Sequence, residues 1–401
     1  MSISRRALIA GSASVLAVDA FAQSAPPAVP LARGLPPGVP LAAGLEALPG
    51  KKPLIRLSYR PPNYETPVAY FADAITPNDA FFVRYHLSEI PRIDPAAWSL
   101  TVSGGQAEVK LDLAALKAMP PAEVVAVCQC SGNRRGLSNP HVAGVQWGYG
   151  AMGCARWKGA RLKDVLAKAG VPQNAVEIVC NGADFAPVDK TPDFVKSLPM
   201  WKALDDNTLL AYEMNGAPLP HWNGAPVRLI APGWTATYWV KHLTDIRFVD
   251  MPFDGFWMKS AYRLPLGLFP SVDRFVSQET AVNTPITEMV VNSLIVSPPD
   301  GVRIRSGPLA VTGLAWDGGH GVERVDVSLD EGAQWRPATL GDDLGRFAFR
   351  TWRFETHTNP GPLTILARAT NAAGQTQVSQ AIFNPAGYHH NVVSRVSALI
   401  T

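Results

Sequence analysis

From Asn283 to the C-terminus the chain is written in short alternating runs, at 293–296, 309–314, 324–329, 346–352 and 363–369. Turn-forming clusters such as Pro298-Pro299-Asp300-Gly301 and Asp317-Gly318-Gly319 separate them. Alternation puts every second side chain on one face, the pattern of a strand with one buried side. Several such strands in one continuous stretch specify a β-sandwich over residues 283–401. Upstream, residues 53–282 alternate short strand-like runs with short helical ones, the texture of an α+β domain. A length of 401 residues is too much for one ordinary core and agrees with two domains.

Within 53–282, residues 123–127 read as a strand entering a polar turn, and 162–169 as a helix stopped by Gly170 and Pro172. Residues 176–179 form a second strand opening into Asn181-Gly182, and 227–230 a third ending at Pro232-Gly233. Strand ends of this kind commonly present the binding loops of a domain. Residues 23–52, rich in Pro, Ala, Gly and Leu without a period, read as an N-terminal arm. A hydrophobic content of 47% with 17% charged residues describes a folded chain. The net charge of +3 is too weak to argue for nucleic acid or an acidic membrane surface, so any positive field that matters is local.

Residues 1–22 read as a twin-arginine export signal. Ser4-Arg5-Arg6-Ala7-Leu8-Ile9 carries the arginine pair, an apolar run follows from Ala7 to Val18, and Ala20-Phe21-Ala22 offers small residues for cleavage. The run is about a dozen residues, short of the roughly 20 that span a bilayer. No later segment is apolar and long enough to do so, and stable membrane insertion is not expected. The expected destination is the periplasm. Twin-arginine export carries folded proteins, which suits a chain that takes up a cofactor before crossing.

The chemistry concentrates in Val127-Cys128-Gln129-Cys130-Ser131-Gly132-Asn133-Arg134-Arg135-Gly136. A thiolate suits a soft metal, and a guanidinium five residues later suits an oxyanion. Taken singly, the parts are ordinary: a Cys after an apolar strand is usually a small buried hydrophobe, and adjacent arginines usually face water. The four cysteines, Cys128, Cys130, Cys154 and Cys180, are expected to be reduced; a bridge between Cys154 and Cys180 stays open.

As a whole the string resembles the molybdenum-cofactor segment of the sulfite oxidase family, whose cysteine lies in a Cys-Ala/Ser-Gly-Asn-Arg-Arg context. Phe81-Phe82-Val83-Arg84-Tyr85-His86, Asn181-Gly182-Ala183-Asp184, Pro226-Val227-Arg228 and the stretch from Pro232-Gly233 to Lys241 follow in the family's order. The resemblance covers roughly Pro53 to the C-terminus and looks most like the molybdopterin subunit of bacterial periplasmic sulfite dehydrogenases. It implies a sulfite-oxidase-type molybdopterin domain followed by an immunoglobulin-like dimerisation domain, with 328–335 in its usual place. It also implies Cys130 as the metal ligand, Arg84 and Arg135 as oxyanion-binding arginines, Tyr262 as the active-site tyrosine and Trp147 as an aromatic wall. Arg228 and Lys241 become candidates for the pterin phosphate, and His86 and Asp184 for hydrogen bonds to the pterin. The chain departs from the animal enzymes at Asn223, where they have histidine, and at Tyr238-Trp239, where they have Arg-His; these three stay as further contacts.

The reading that follows is a periplasmic sulfite dehydrogenase that contains molybdenum-molybdopterin and converts sulfite to sulfate. The sequence signals neither haem nor flavin, so electrons are expected to leave to a separate c-type cytochrome, with the chain a homodimer or heterodimer. An exported methionine sulfoxide reductase is the runner-up, against which the β-rich residues 283–401 count. A non-catalytic secreted adhesion protein is the alternative of a different class, against which the coincidence of Cys130, Arg84, Arg135 and Tyr262 counts.

Overall fold

The computed structural model describes residues 44–188, 190–265 and 283–401. The export signal read over 1–22 and most of the arm read over 23–52 lie outside the described residues. The described end of the arm already belongs to a sheet. Leu45–Glu46 is the edge of a four-stranded antiparallel sheet continued by Leu54–Ser58, Asn63–Glu65 and Val83–Arg84, with Leu45 opposite Ile55.

Two five-stranded sheets carry the rest of the α+β domain. One runs in the order Lys196–Pro199, Glu177–Gly182, Leu243–Val249, Ser99–Ser103, Val109–Asp112, with a single parallel pair between the third and fourth. The other is built on the long hairpin of Pro121–Gln129 and Met152–Arg161, extended by Leu209–Met214, Ala217–Pro218 and Arg228–Ile230. Between the layers lies one apolar core that includes Trp98, Leu100, Trp157, Ile178, Leu210 and Ile246, all buried. Helix Leu162–Ala169 sits where the sequence puts it. Leu162, Val165, Leu166 and Ala169 fall on one face at helical spacing and are buried. Gly170 ends it at φ +71°, a conformation that disfavours any side chain.

The C-terminal residues form the expected sandwich. One sheet orders Asn292–Ser297, Gly307–Trp316, Arg350–Thr358 and Thr339–Leu340; the other orders Val302–Ile304, Ser394–Ile400, Gly361–Asn371, Val322–Ser328 and Arg336–Pro337. Val311, Val325, Val327, Trp352, Ile365 and Ala367 fill the space between them. The run expected as a strand at 346–352 begins later, at Arg350–Thr358. Its first residues are spent on the neighbouring domain: the Val127 N–H donates to Phe347 O at 2.9 Å, and Phe349 meets Phe71 edge-on at 6.1 Å. Strand Asn283–Pro285 likewise pairs back with Arg263–Pro265. None of the four cysteines is bridged; all are buried and free. Among the described residues no helix is long and apolar enough to cross a membrane.

Candidate active site

The hairpin ladder ends with Gln129 opposite Met152, so Cys130 is the first residue beyond regular pairing. Its N–H still donates to Ala151 O at 2.9 Å, and its carbonyl accepts from Asn133 N–H at 2.9 Å. Asn133 Oδ1 in turn accepts from Ala151 N–H at 3.1 Å. The turn is therefore pinned to the facing strand on both sides. Glu65 anchors that facing segment by accepting from Gly148 and Gly150 N–H at 2.7 Å each. Its burial pushes the carboxyl up to about 7, against the pull of those backbone donors.

Neither arginine of the turn faces water, contrary to the ordinary expectation for such a pair. Arg134, 1% exposed, donates to Asn292 Oδ1 and Ser293 O at 2.6 Å each, clamping the turn to the sandwich. Arg135, also buried, folds back over Gly132, where a Cβ would come within 2.7 Å of its guanidinium carbon. It donates to Ala386 O at 2.8 Å and Val145 O at 3.3 Å.

Cys130 opens onto a cavity. From five other segments the fold brings Arg84, His86, Asp184, Asn223, Arg228, Trp239, Lys241 and Tyr262 to its walls. Three residues named from the sequence stand behind this lining. Trp147, expected as an aromatic wall, is fully buried and packs edge-on against Phe82 at 6.5 Å, so Phe82 takes the wall position. Tyr238 is buried against Trp234, with Lys196 Nζ 4.5 Å from its ring centre, because the short helical turn Ala236–Tyr238 points Thr237 to the cavity instead. Arg135 is not part of the lining itself, but its guanidinium acts on the Tyr262 phenol from behind it, opposing the rise that burial causes.

The polar wall has two parts. On one, His86 lies flat on Phe194, centroids 3.6 Å apart, and its Nε2 is hydrogen-bonded to the Tyr262 hydroxyl. Burial first, then Arg84, Lys241 and Lys196, hold the imidazole neutral at neutral pH, well below its ordinary pKa. Burial also raises the Tyr262 phenol, with the Arg84 guanidinium beside it pulling the other way. Tyr262 itself sits at φ +59°, a backbone state a tyrosine rarely takes without outside support. Its carbonyl is held by the Ile286 N–H at 2.8 Å. On the other part, Arg228 donates to Asn223 O at 3.1 Å and to Cys128 Sγ at 3.4 Å, and Lys241 donates to the Arg84 carbonyl. Burial and then Arg228 push the Lys241 ammonium down to about 7, against the attraction of Asp184.

This wall fits an anionic guest. Arg84, Arg228 and Lys241 face one carboxylate, Asp184, and the buried Arg228 Nε, Ser131 Oγ and Thr237 Oγ1 have no partner. Among the described residues no cluster of three His, Cys, Asp or Glu side chains could hold a metal. A metal bound by Cys130 would thus bring its remaining ligands with it. A molybdenum carried by a phosphate-bearing pterin dithiolene meets both conditions.

Some wall residues carry a sequence signal: Ser131 and Thr237 sit inside strings already singled out. Others carry none. Lys51 reaches in from the arm and donates to Asn223 Oδ1 at 2.7 Å across a separation of 172 residues. Phe194 and Trp222 line the cavity, and Tyr388 stacks on Tyr262 from the sandwich.

Comparison with known proteins gives a concordant picture. Residues 86–257 match the oxidoreductase molybdopterin binding domain family, and residues 283–400 the Mo-co oxidoreductase dimerisation domain family. The chain is 35% identical to mitochondrial sulfite oxidase of Drosophila melanogaster over 86% of its length and 62% of that protein's. It is 37% identical to sulfite oxidase of Gallus gallus over 82% of this chain and 74% of that one. With sulfite oxidase of Arabidopsis thaliana the figures are 32%, 74% and 79%. The chain thus spans about two thirds of the length of the animal mitochondrial relatives. Among solved structures, the sulfane dehydrogenase SoxCD of Paracoccus pantotrophus shares the fold, with a TM-score of 0.73 at 24% identity over 95% of this chain and 92% of that one. By its two domain families, its relatives and its fold, the chain belongs to the sulfite oxidase family of molybdopterin oxidoreductases.

Proposed function

We propose that the protein is a sulfite dehydrogenase of the periplasm, converting sulfite and water to sulfate, two electrons and two protons. The observation that carries this reading is the convergence of the Cys130 thiol, the Arg84 guanidinium and the Tyr262–His86 pair on one cavity. When bound, the molybdopterin supplies the two-electron redox chemistry that no side chain can. Cys130 would hold the metal, while Arg228, Lys241, Asn223, Asp184, Ser131 and Thr237 would hold the pterin and its phosphate.

The remaining residues handle the substrate and the protons. Arg84 offers a planar, permanently charged fork that suits two oxygens of one small anion. Its orientation is set by its bond to Asn63 Oδ1 at 3.3 Å. The Tyr262 hydroxyl has a proton to share at neutral pH, and the neutral His86 ring has a lone pair for one. Together they can pass a proton out of the site. Electrons leave, in this reading, to a separate c-type cytochrome, and the sandwich supports a homodimer or heterodimer. The twin-arginine pattern at Arg5-Arg6 supports the periplasmic location.

Arg84→Gln tests the anion role. Losing one charged hydrogen bond costs roughly 1.5–3 kcal/mol, so the KM for sulfite should rise about 10- to 150-fold with kcat less affected. Steady-state assays with ferricyanide and with cytochrome c read this out. An unchanged KM, or turnover of methionine sulfoxide without sulfite oxidation, would overturn the assignment.

A further inference from the structure

The sandwich loop at 384–388 enters the catalytic domain and ends against its anion site. Asn384 closes the loop on itself, donating to Tyr388 O at 2.8 Å and accepting from Tyr388 N–H at 3.0 Å. Gly387 permits the close approach: it sits at φ +60°, and a Cβ there would lie 2.4 Å from Val142 Cγ2 and 2.9 Å from Arg135 Cγ. The Tyr388 ring, 8% exposed, then stacks on Tyr262 with centroids 5.6 Å apart and planes 10° apart. The Arg135 guanidinium carbon lies 5.2 Å from the centre of the same ring, and Arg135 Nε donates to Ala386 O at 2.8 Å. One aromatic ring therefore packs against both the phenol that lines the cavity and the guanidinium that stands behind it.

We propose that Tyr388 is a positioning residue for the anion pocket, its ring fixing the Tyr262 phenol and the Arg135 guanidinium so that the sandwich domain completes the site of the other domain. Three features argue for the ring rather than the hydroxyl. The contact with Tyr262 is face to face, the contact with Arg135 is cation to ring, and both partners have other anchors that leave only their orientation to be set. Tyr262 needs such support, because its left-handed backbone is not its preferred state. Without the ring, Arg135 keeps its two backbone acceptors but loses the cation–π contact that holds its face against movement.

The substrate named in the test rests on the sulfite reading, so a second readout is independent of turnover. The cofactor-loaded enzyme is compared with Tyr388→Leu, which keeps bulk without a ring, and Tyr388→Phe, which keeps the ring. Affinity for sulfate is measured by calorimetry, and KM and kcat for sulfite by cytochrome c reduction. Tyr388→Leu should weaken sulfate binding and raise KM about tenfold, with kcat within about threefold, while Tyr388→Phe restores both to within about twofold. Sulfate affinity unchanged in Tyr388→Leu, or equal losses in the two variants, would overturn the proposal. A parent that binds sulfate without oxidising sulfite would instead sink the sulfite reading, and the calorimetric comparison would still decide the role of Tyr388. A parent that binds no sulfate removes the anion pocket and this proposal with it.

Discussion

Cys130→Ser should give a folded protein that no longer oxidises sulfite. The packing argument says it folds: serine is nearly isosteric, the side chain is already 7% exposed at the cavity, and the bonds that shape the turn run through the Cys130 backbone. The chemistry says it fails, because a soft metal prefers thiolate to alkoxide. Even an outer partner of a metal ligand is worth about 10–100-fold, so losing the ligand itself should reduce kcat/KM by about a hundredfold or more. The control is Cys180→Ala. That thiol is fully buried in the apolar core, burial holds it protonated, and it does not line the cavity. The control should lose some stability and keep its turnover. Molybdenum per chain, near-ultraviolet circular dichroism and ferricyanide reduction separate loss of fold from loss of metal. Wild-type turnover in Cys130→Ser would end the assignment.

The same pair of cysteines shows what the residues disclosed and what they hid. Helix Leu162–Ala169 was legible because its signal is local: four apolar positions on one face and a glycine at the stop. The strand feeding Cys130 was legible for the same reason, although it runs longer than its apolar centre. The run at 346–352 misled because Phe347 and Phe349 are apolar for the sake of the other domain, not of a strand. Strand Ser394–Ile400 escaped although Ser394, Val396, Ala398 and Ile400 alternate inward, since its small and polar residues give a faint pattern. Among site residues, those inside family strings reached the cavity together, apart from Trp147, Tyr238 and Arg135. The residues with no signal act across the chain: Lys51 on Asn223, Arg134 on Asn292, Tyr388 on Tyr262. Each makes sense only once distant segments meet, and no spacing rule encodes such meetings.

One glycine ties fold to site closely enough to predict a large effect. Gly150 lies between Glu65 and Cys130 in the chain of contacts: its N–H donates to the Glu65 carboxyl, its carbonyl accepts from Thr66 N–H at 3.1 Å, and its neighbour Ala151 holds the Cys130 N–H. A Cβ on Gly150 would fall 1.8 Å from Thr66 O and 2.8 Å from Thr66 C, contacts that involve backbone and cannot be relieved by a rotamer change. Gly150→Ala must therefore push Thr66 and residue 150 apart, which strains the Glu65 bonds and carries Ala151 away from Cys130. A displacement of that kind costs about 3 kcal/mol or more, from overpacking together with weakened buried hydrogen bonds. Gly216→Ala gives the comparison: its Cβ meets nothing within 4 Å, so only the positive φ of +76° is penalised, about 1–2 kcal/mol. Thermal melts should rank the two variants in that order, and Gly150→Ala alone should lose molybdenum along with stability. A Gly150→Ala protein that melts and binds metal like its parent would show that the 65–66 and 148–151 segments do not carry the cysteine turn.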